Sequence, residues 1–204
     1  MYYNNEELKM FMKRAIELSE FAVKSNEVPV GCVIVNRTTK KIESEAHNET
    51  NISRNGTRHC EIVALEKLIV KLKHTSEKIN NSTRLITQNQ DEYNNTRFRL
   101  NLGDTYDLFV TVEPCIMCIG FIDQMGIHNI FYGCKNYRFG GCGSVLDYHY
   151  LNKSSKIILT SGICENESIK ILKEFYEIGN PKAPENKRKR PLKPLNCSLP
   201  LYEN

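Results

Sequence analysis

Residues 28–35, Val-Pro-Val-Gly-Cys-Val-Ile-Val, form a β-branched run closed by turn chemistry at Asn36–Lys41. Such a run reads as the central strand of a sheet, and a central strand needs cover on both faces. The rest of the chain offers that cover. Leu8, Phe11, Met12, Ala15, Ile16 and Ala22 recur at spacings of three and four, which predicts a helix over 6–25 with one buried stripe. A second strand is expected near Ile42–Ala46. A helix is expected from about Arg58 to Lys73, with Ile62, Leu65, Leu68, Ile69 and Leu72 facing inward. Farther along, Asp107–Val112 reads as a strand, Glu113-Pro114 as a turn and Cys115–Met125 as a helix. His128–Tyr132 is a strand, Cys134–Val145 a glycine-rich loop, Lys156–Thr160 a last strand and Glu165–Tyr176 an amphipathic helix. This alternation predicts the α/β class: a three-layer α/β/α sandwich, with helices on both faces of a five-stranded sheet that is largely parallel or mixed.

The length of 204 residues suits one domain and a tail. We place the domain at 1–179 and a basic, proline-rich tail at 180–204. Within the domain, residues 74–106 are rich in Asn, Thr, Gln and charge, and are expected to be a disordered insertion. The net charge is +4, yet Lys182–Lys193 holds six basic residues and one acid, so the positive excess lies in the tail. No apolar run approaches the roughly 20 residues that a membrane helix needs. The start, MYYNNEELKMFMKRA, lacks the apolar core of a secretory signal, so an intracellular protein is expected. There, eight cysteines do not suggest a disulfide framework, and the Cys115-x-x-Cys118 pair reads as metal-binding or redox-active.

Residues 57–65, Thr-Arg-His-Cys-Glu-Ile-Val-Ala-Leu, set His59 and Glu61 at the opening of a core helix, where each is costly to bury unless it is bound or paired. Pro114-Cys-Ile-Met-Cys118 sits where a strand gives way to a helix. Spacing of three puts both sulfurs on one side of the first turn, where the helix dipole favours thiolate. The two thiolates make half a zinc site, and His59 can supply the third ligand. Three protein ligands leave the fourth position open for water, as in catalytic zinc centres. Other readings stay open: a redox pair, or a structural site completed by Cys134 and Cys142.

His-x-Glu followed downstream by Pro-Cys-x-x-Cys resembles the signature of zinc-dependent nucleobase deaminases. Together the motifs are similar to the cytidine/deoxycytidylate deaminase superfamily, and within it to the tRNA adenosine deaminases. Glu27-Val-Pro-Val-Gly-Cys-Val-Ile-Val35 resembles the first strand and pocket wall of that branch. Cys134-Lys-Asn-Tyr-Arg-Phe-Gly-Gly-Cys-Gly-Ser-Val-Leu146 and the tail Asn180–Arg190 resemble segments of its eukaryotic catalytic subunits.

The resemblance implies a cytidine deaminase-like fold with Zn2+ held by His59, Cys115 and Cys118, and Glu61 as general acid/base. Asn48 would hydrogen-bond the flipped base and Val30 would wall the pocket. The reaction implied is hydrolytic deamination of adenosine to inosine at the wobble position of tRNA. The partner implied is a related, non-catalytic deaminase subunit in a heterodimer. Tyr137, Arg138 and Phe139 are candidate contacts to flanking nucleotides, Phe139 having core packing as its second reading. Lys187, Arg188, Lys189 and Arg190 would grip phosphates or act as a nuclear import signal, which points to nucleus or cytoplasm. Two departures stand out: Cys60 where the family usually has alanine, and the longer segment from Lys73 to Tyr106. Rival readings are a deaminase of free nucleotides or bases (dCMP or guanine type), a non-catalytic zinc-binding subunit, and a redox or structural zinc module.

Overall fold

The structure is a computed structural model, and it describes residues 2–78 and 102–178. Helix α1 (Asn5–Lys24) starts at a capping box: the Asn4 side chain accepts from Glu7 N–H, and the Glu7 carboxylate accepts from Asn4 N–H. It ends where Asn26 turns into the left-handed region at φ 55°. Strand β1 (Gly31–Asn36) follows, three residues later than Val28, where the apolar run begins. The reason is local. Pro29 has no N–H to give a ladder, and the Val30 N–H turns back onto the Val28 carbonyl (2.8 Å).

The chain continues through β2 (Ile42–His47), α2 (Thr50–Ser53), α3 (Cys60–Lys78), β3 (Tyr106–Val112), α4 (Ile116–Gln124), β4 (Asn129–Cys134), α5 (Tyr148–Leu151), β5 (Ile158–Thr160) and α6 (Glu165–Ile178). The five strands lie in the order β2-β1-β3-β4-β5. β1 is antiparallel to both β2 and β3, while β3, β4 and β5 run parallel, so the sheet is mixed. Cys32 faces Val110 across β1 and β3, and Leu108 faces Ile130 across β3 and β4. β1 is therefore internal, as its run of apolar residues requires.

Period-two alternation divides each strand between two cores. Cys32, Ile34, Leu108, Val110, Ile130 and Tyr132 pack on the face covered by α3 and α4. Val33, Val35, Phe109 and Phe131 pack on the face covered by α1, where Phe109 and Phe131 stack at 4.5 Å. Helix α6 packs against β4 and α1. This is the expected α/β/α sandwich.

Other features also depart from the sequence reading. Helix α3 runs to Lys78, beyond Lys73. Leu102 is buried, and its carbonyl accepts from Thr105 and Tyr106 N–H as the chain turns into β3. Both ends of the 74–106 stretch thus belong to the fold, which corrects its expected extent as an insertion; residues 79–101 lie outside the described residues. The short helices α2 and α5 were not expected, and α5 interrupts the connection after the glycine-rich loop. The tail at 180–204, with Lys187–Arg190, also lies outside the described residues. Among the described residues, no helix is long and apolar enough to cross a membrane.

Candidate metal centre

Helices α3 and α4 share one face of the sheet and contact each other, so their N-termini meet. His59 immediately precedes α3, and Cys115 is the N-cap of α4, in extended backbone at φ −71° and ψ 168°. Cys118 lies in the first turn of α4 and is fully buried. His59 Nδ1 stands 3.6 Å from Cys115 Sγ and 3.4 Å from Cys118 Sγ. The three ligand atoms all lie within 4.8 Å of one another. A tetrahedral ion with Zn–N near 2.0–2.1 Å and Zn–S near 2.3 Å sets nitrogen and sulfur about 3.6 Å apart. The donor set therefore fits zinc in both chemistry and spacing. Among the described residues it is the one group of three or more His, Cys, Asp or Glu side chains placed to hold an ion. Cys134 and Cys142 do not join it, so the four-cysteine reading finds no support.

Electrostatics follow from this crowding. The Cys118 thiol donates to Cys115, and with His59 alongside it brings the Cys115 thiol down to a pKa of about 4. Cys118, as that donor and in near-complete burial, is pushed well up. Cys115 raises the pKa of His59 in turn, against the effect of burial. Glu61, only 4% exposed, has its pKa raised mainly by burial. Its Oε2 accepts from the Cys60 thiol (3.2 Å).

Asn48 fixes the start of α3. Its Oδ1 accepts from Cys60 N–H (2.9 Å), its Nδ2 donates to the Val28 carbonyl (3.1 Å) and its backbone N–H donates to Val30 (3.1 Å). One Nδ2 hydrogen and one Oδ1 lone pair are left over. Val30 is half-buried and packs against the core on the α3 side. Tyr137, Arg138 and Phe139 sit on the loop after β4. Phe139 is 57% exposed, with the Arg138 guanidinium 5.0 Å over its ring, so its core-packing reading is overturned. Lys187–Arg190 fall outside the described residues.

Glu27 and Glu113 are among the buried acids to which the sequence reading assigns no role. Glu27, fully buried after α1, accepts from the backbone N–H groups of Asn51 and Ile52 and from Thr50 Oγ1, anchoring α2. Glu113, just before the Pro-Cys-x-x-Cys turn, accepts from backbone donors of the 136–144 loop. A signal existed, since each is a lone acid bordering an apolar strand run. Their partners, more than twenty residues away, had no local trace.

Residues 5–134 match the model of the cytidine and deoxycytidylate deaminase zinc-binding region. The chain belongs to this family of zinc-binding deaminases. Within it, tRNA-specific adenosine deaminase 2 of Xenopus tropicalis is 33% identical over 185 residues, covering 89% of this chain and 96% of that protein. The tRNA-specific adenosine deaminase of Rickettsia bellii is 32% identical over 169 residues, 81% of this chain and 97% of that one. A chain solved in studies of A-to-I editing by tRNA:A34 deaminases superposes with a TM-score of 0.61 at 25% identity, covering 80% of this chain and 99% of its own length. The guanine deaminase of Nitrosomonas europaea, at 16% identity and a TM-score of 0.60 over 81% of this chain and 82% of that one, shares the fold.

Proposed function

We propose that the chain deaminates adenosine to inosine at the wobble position of tRNA by hydrolysis. His59, Cys115 and Cys118 hold zinc, and Glu61 moves the protons. The observation that carries this reading is the convergence of one imidazole and two sulfurs beside a buried carboxylate at the meeting of two helix N-termini. Similarity to tRNA-specific adenosine deaminases over most of the chain supports tRNA as the substrate.

When bound, zinc supplies Lewis acidity that brings the pKa of a water molecule from 15.7 towards about 7. Glu61 takes a proton from the attacking water and delivers it to adenine N1. The C6–O bond forms; Glu61 then takes the proton of the new C6 hydroxyl and passes it to the amine, so that the C6–N bond breaks, ammonia leaves and the C6 carbonyl of inosine remains. Burial raises the carboxyl pKa towards the working pH, where a group can both accept and release a proton. Asn48 and Val30 border the base, and its spare amide valences let Asn48 hydrogen-bond it. An anticodon-loop base is already partly unstacked, which lowers the cost of extruding it. Tyr137, Arg138 and Phe139 meet the flanking nucleotides by stacking and charge. Lys187–Arg190 add phosphate contacts, and the same run supports entry to the nucleus as well as residence in the cytoplasm.

The partner in this reading is a related, non-catalytic deaminase subunit. Ile116, Met117, Val145, Leu146, Tyr150 and Leu151 are exposed apolar side chains on α4, the loop after β4 and α5. Apolar side chains gathered on neighbouring elements suit a protein interface. The test is co-expression with that subunit and scoring of inosine in tRNA as A-to-G reads. Glu61→Gln is expected to lower the rate by about 10²–10⁴-fold, the range for a lost general acid/base, with zinc content unchanged. Wild-type rates in Glu61→Gln would remove that carboxylate from the chemistry. Turnover of free nucleotides or bases with no inosine in tRNA would overturn the substrate assignment.

A further inference from the structure

Glu113 is 2% exposed, and its carboxylate is engaged by donors of one loop. Oε2 accepts from Asn136 N–H (2.9 Å) and from the Ser144 hydroxyl. Oε1 accepts from Cys142 N–H (2.9 Å) and Ser144 N–H (3.1 Å). Gly140 crosses the same carboxylate so closely that a Cβ there would stand 2.6 Å from Oε1. An ionised carboxylate offers about four acceptor sites, and this loop engages four.

The bonds continue outward from the acid. Asn136, held at its N–H by Oε2, uses its own Oδ1 to accept from the N–H groups of Arg138 (3.3 Å) and Phe139 (3.1 Å). The Phe139 carbonyl accepts from Ile116 N–H (3.2 Å) at the start of α4, and Gly141 N–H donates to Pro114 (2.9 Å). Arg138 and Phe139 themselves are exposed. One buried acid, two residues before Cys115, thus shapes a surface loop bearing a cation stacked on an aromatic ring. That pairing suits a nucleotide, offering charge to the phosphate and a face to the base.

We propose that Glu113 is a positioning residue: it locks the 136–144 loop onto the Pro114–Ile116 turn and so sets where Arg138 and Phe139 meet the nucleotides beside the reacting adenosine. This rests on the tRNA reading above. Because Glu113 acts through the loop, its loss weakens substrate binding more than the chemical step. Glu113→Gln keeps the volume but turns one acceptor oxygen into a donor facing N–H groups. Ser144→Ala removes one contact far more gently.

The experiment measures kcat and KM for tRNA with the co-expressed complex, together with zinc per chain and amide hydrogen exchange of residues 136–146. The expected result for Glu113→Gln is a KM raised about tenfold or more, a much smaller change in kcat, intact zinc and faster exchange confined to the loop. Ser144→Ala should move KM in the same direction by a few-fold, which keeps the test decisive where Glu113→Gln fails to fold. Unchanged KM in both folded variants, or zinc loss with equal falls in kcat and kcat/KM, overturns the proposal. If wild-type complex makes no inosine, the tRNA reading fails. Loop exchange in the same samples still decides whether Glu113 holds the loop: unchanged protection overturns that too.

Discussion

Between His59 and Glu61, where an alanine is usual in the family that the motifs resemble, the chain carries Cys60, fully buried. The concern with a thiol beside a ligand is misligation. Its thiol instead donates to Glu61 Oε2, outside the ligand group. Burial and its neighbours Cys32 and Glu61 hold the Cys60 thiol well above its ordinary pKa, so it stays protonated and able to donate. Gly31 shows a second constraint at this scale. A Cβ there would lie 2.0 Å from the Ala15 carbonyl and 2.9 Å from Leu18 Cβ. Gly31→Ala should push α1 off the sheet and cost about 3 kcal/mol, the upper end for overpacking. Urea unfolding monitored by circular dichroism checks this; a loss under about 1 kcal/mol, below the overpacking range, would mean α1 yields easily. A glycine inside an apolar run is visible in the sequence. The helix backbone that forbids its replacement, more than ten residues away, is not.

At the scale of elements, the segment before α1 is tied to the sheet by a buried polar cluster. Tyr3 OH donates to Asp107 Oδ2 (2.8 Å) at the start of β3, where Asp107 also accepts from Arg37 Nε (2.9 Å) and Asn129 Nδ2 (2.8 Å). The Tyr3 ring meets Phe11, Phe109 and Phe131 edge-on. Burial first, and then the Asp107 hydrogen bond, push the Tyr3 phenol above its ordinary value. The folded state therefore binds the phenolic proton more tightly than the unfolded one. Its contribution is complete below the unfolded pKa near 10 and is lost as pH rises beyond it. Tyr3→Phe should cost about 1 kcal/mol at neutral pH for one hydrogen bond, and should flatten the fall of Tm above pH 10. An equally steep alkaline fall in the variant would assign that loss to other groups. Long elements were legible because period 3.6 or a β-branched run extends over many residues. Helices α2 and α5, four residues each, are too short to show any period. Their positions come instead from side chains: Glu27 receives the N–H groups at α2, and Asp147 caps α5.

For the whole molecule, zinc would join two helices that are 37 residues apart in the chain, from Lys78 to Cys115, and neighbours in space. An ion that binds only the folded chain stabilises it by about 2.7 kcal/mol at a hundredfold excess over Kd. Chelation should accordingly lower Tm in the wild type, while His59→Ala should start lower and respond little. Equal responses would place the ion elsewhere. The sequence by itself determined the alternation of strands and helices, the internal place of β1, and the two halves of the metal site. Each of these is written in a short contiguous stretch, where residue type and spacing carry the physics. Only the tertiary structure decided that α3 and α4 bring those halves within 3.4–3.6 Å, that Asn48 pins the turn of His59, and that Glu113 organises the 136–144 loop. Those facts depend on which distant N–H groups reach a buried oxygen once both faces of the sheet are covered, and no local period encodes that.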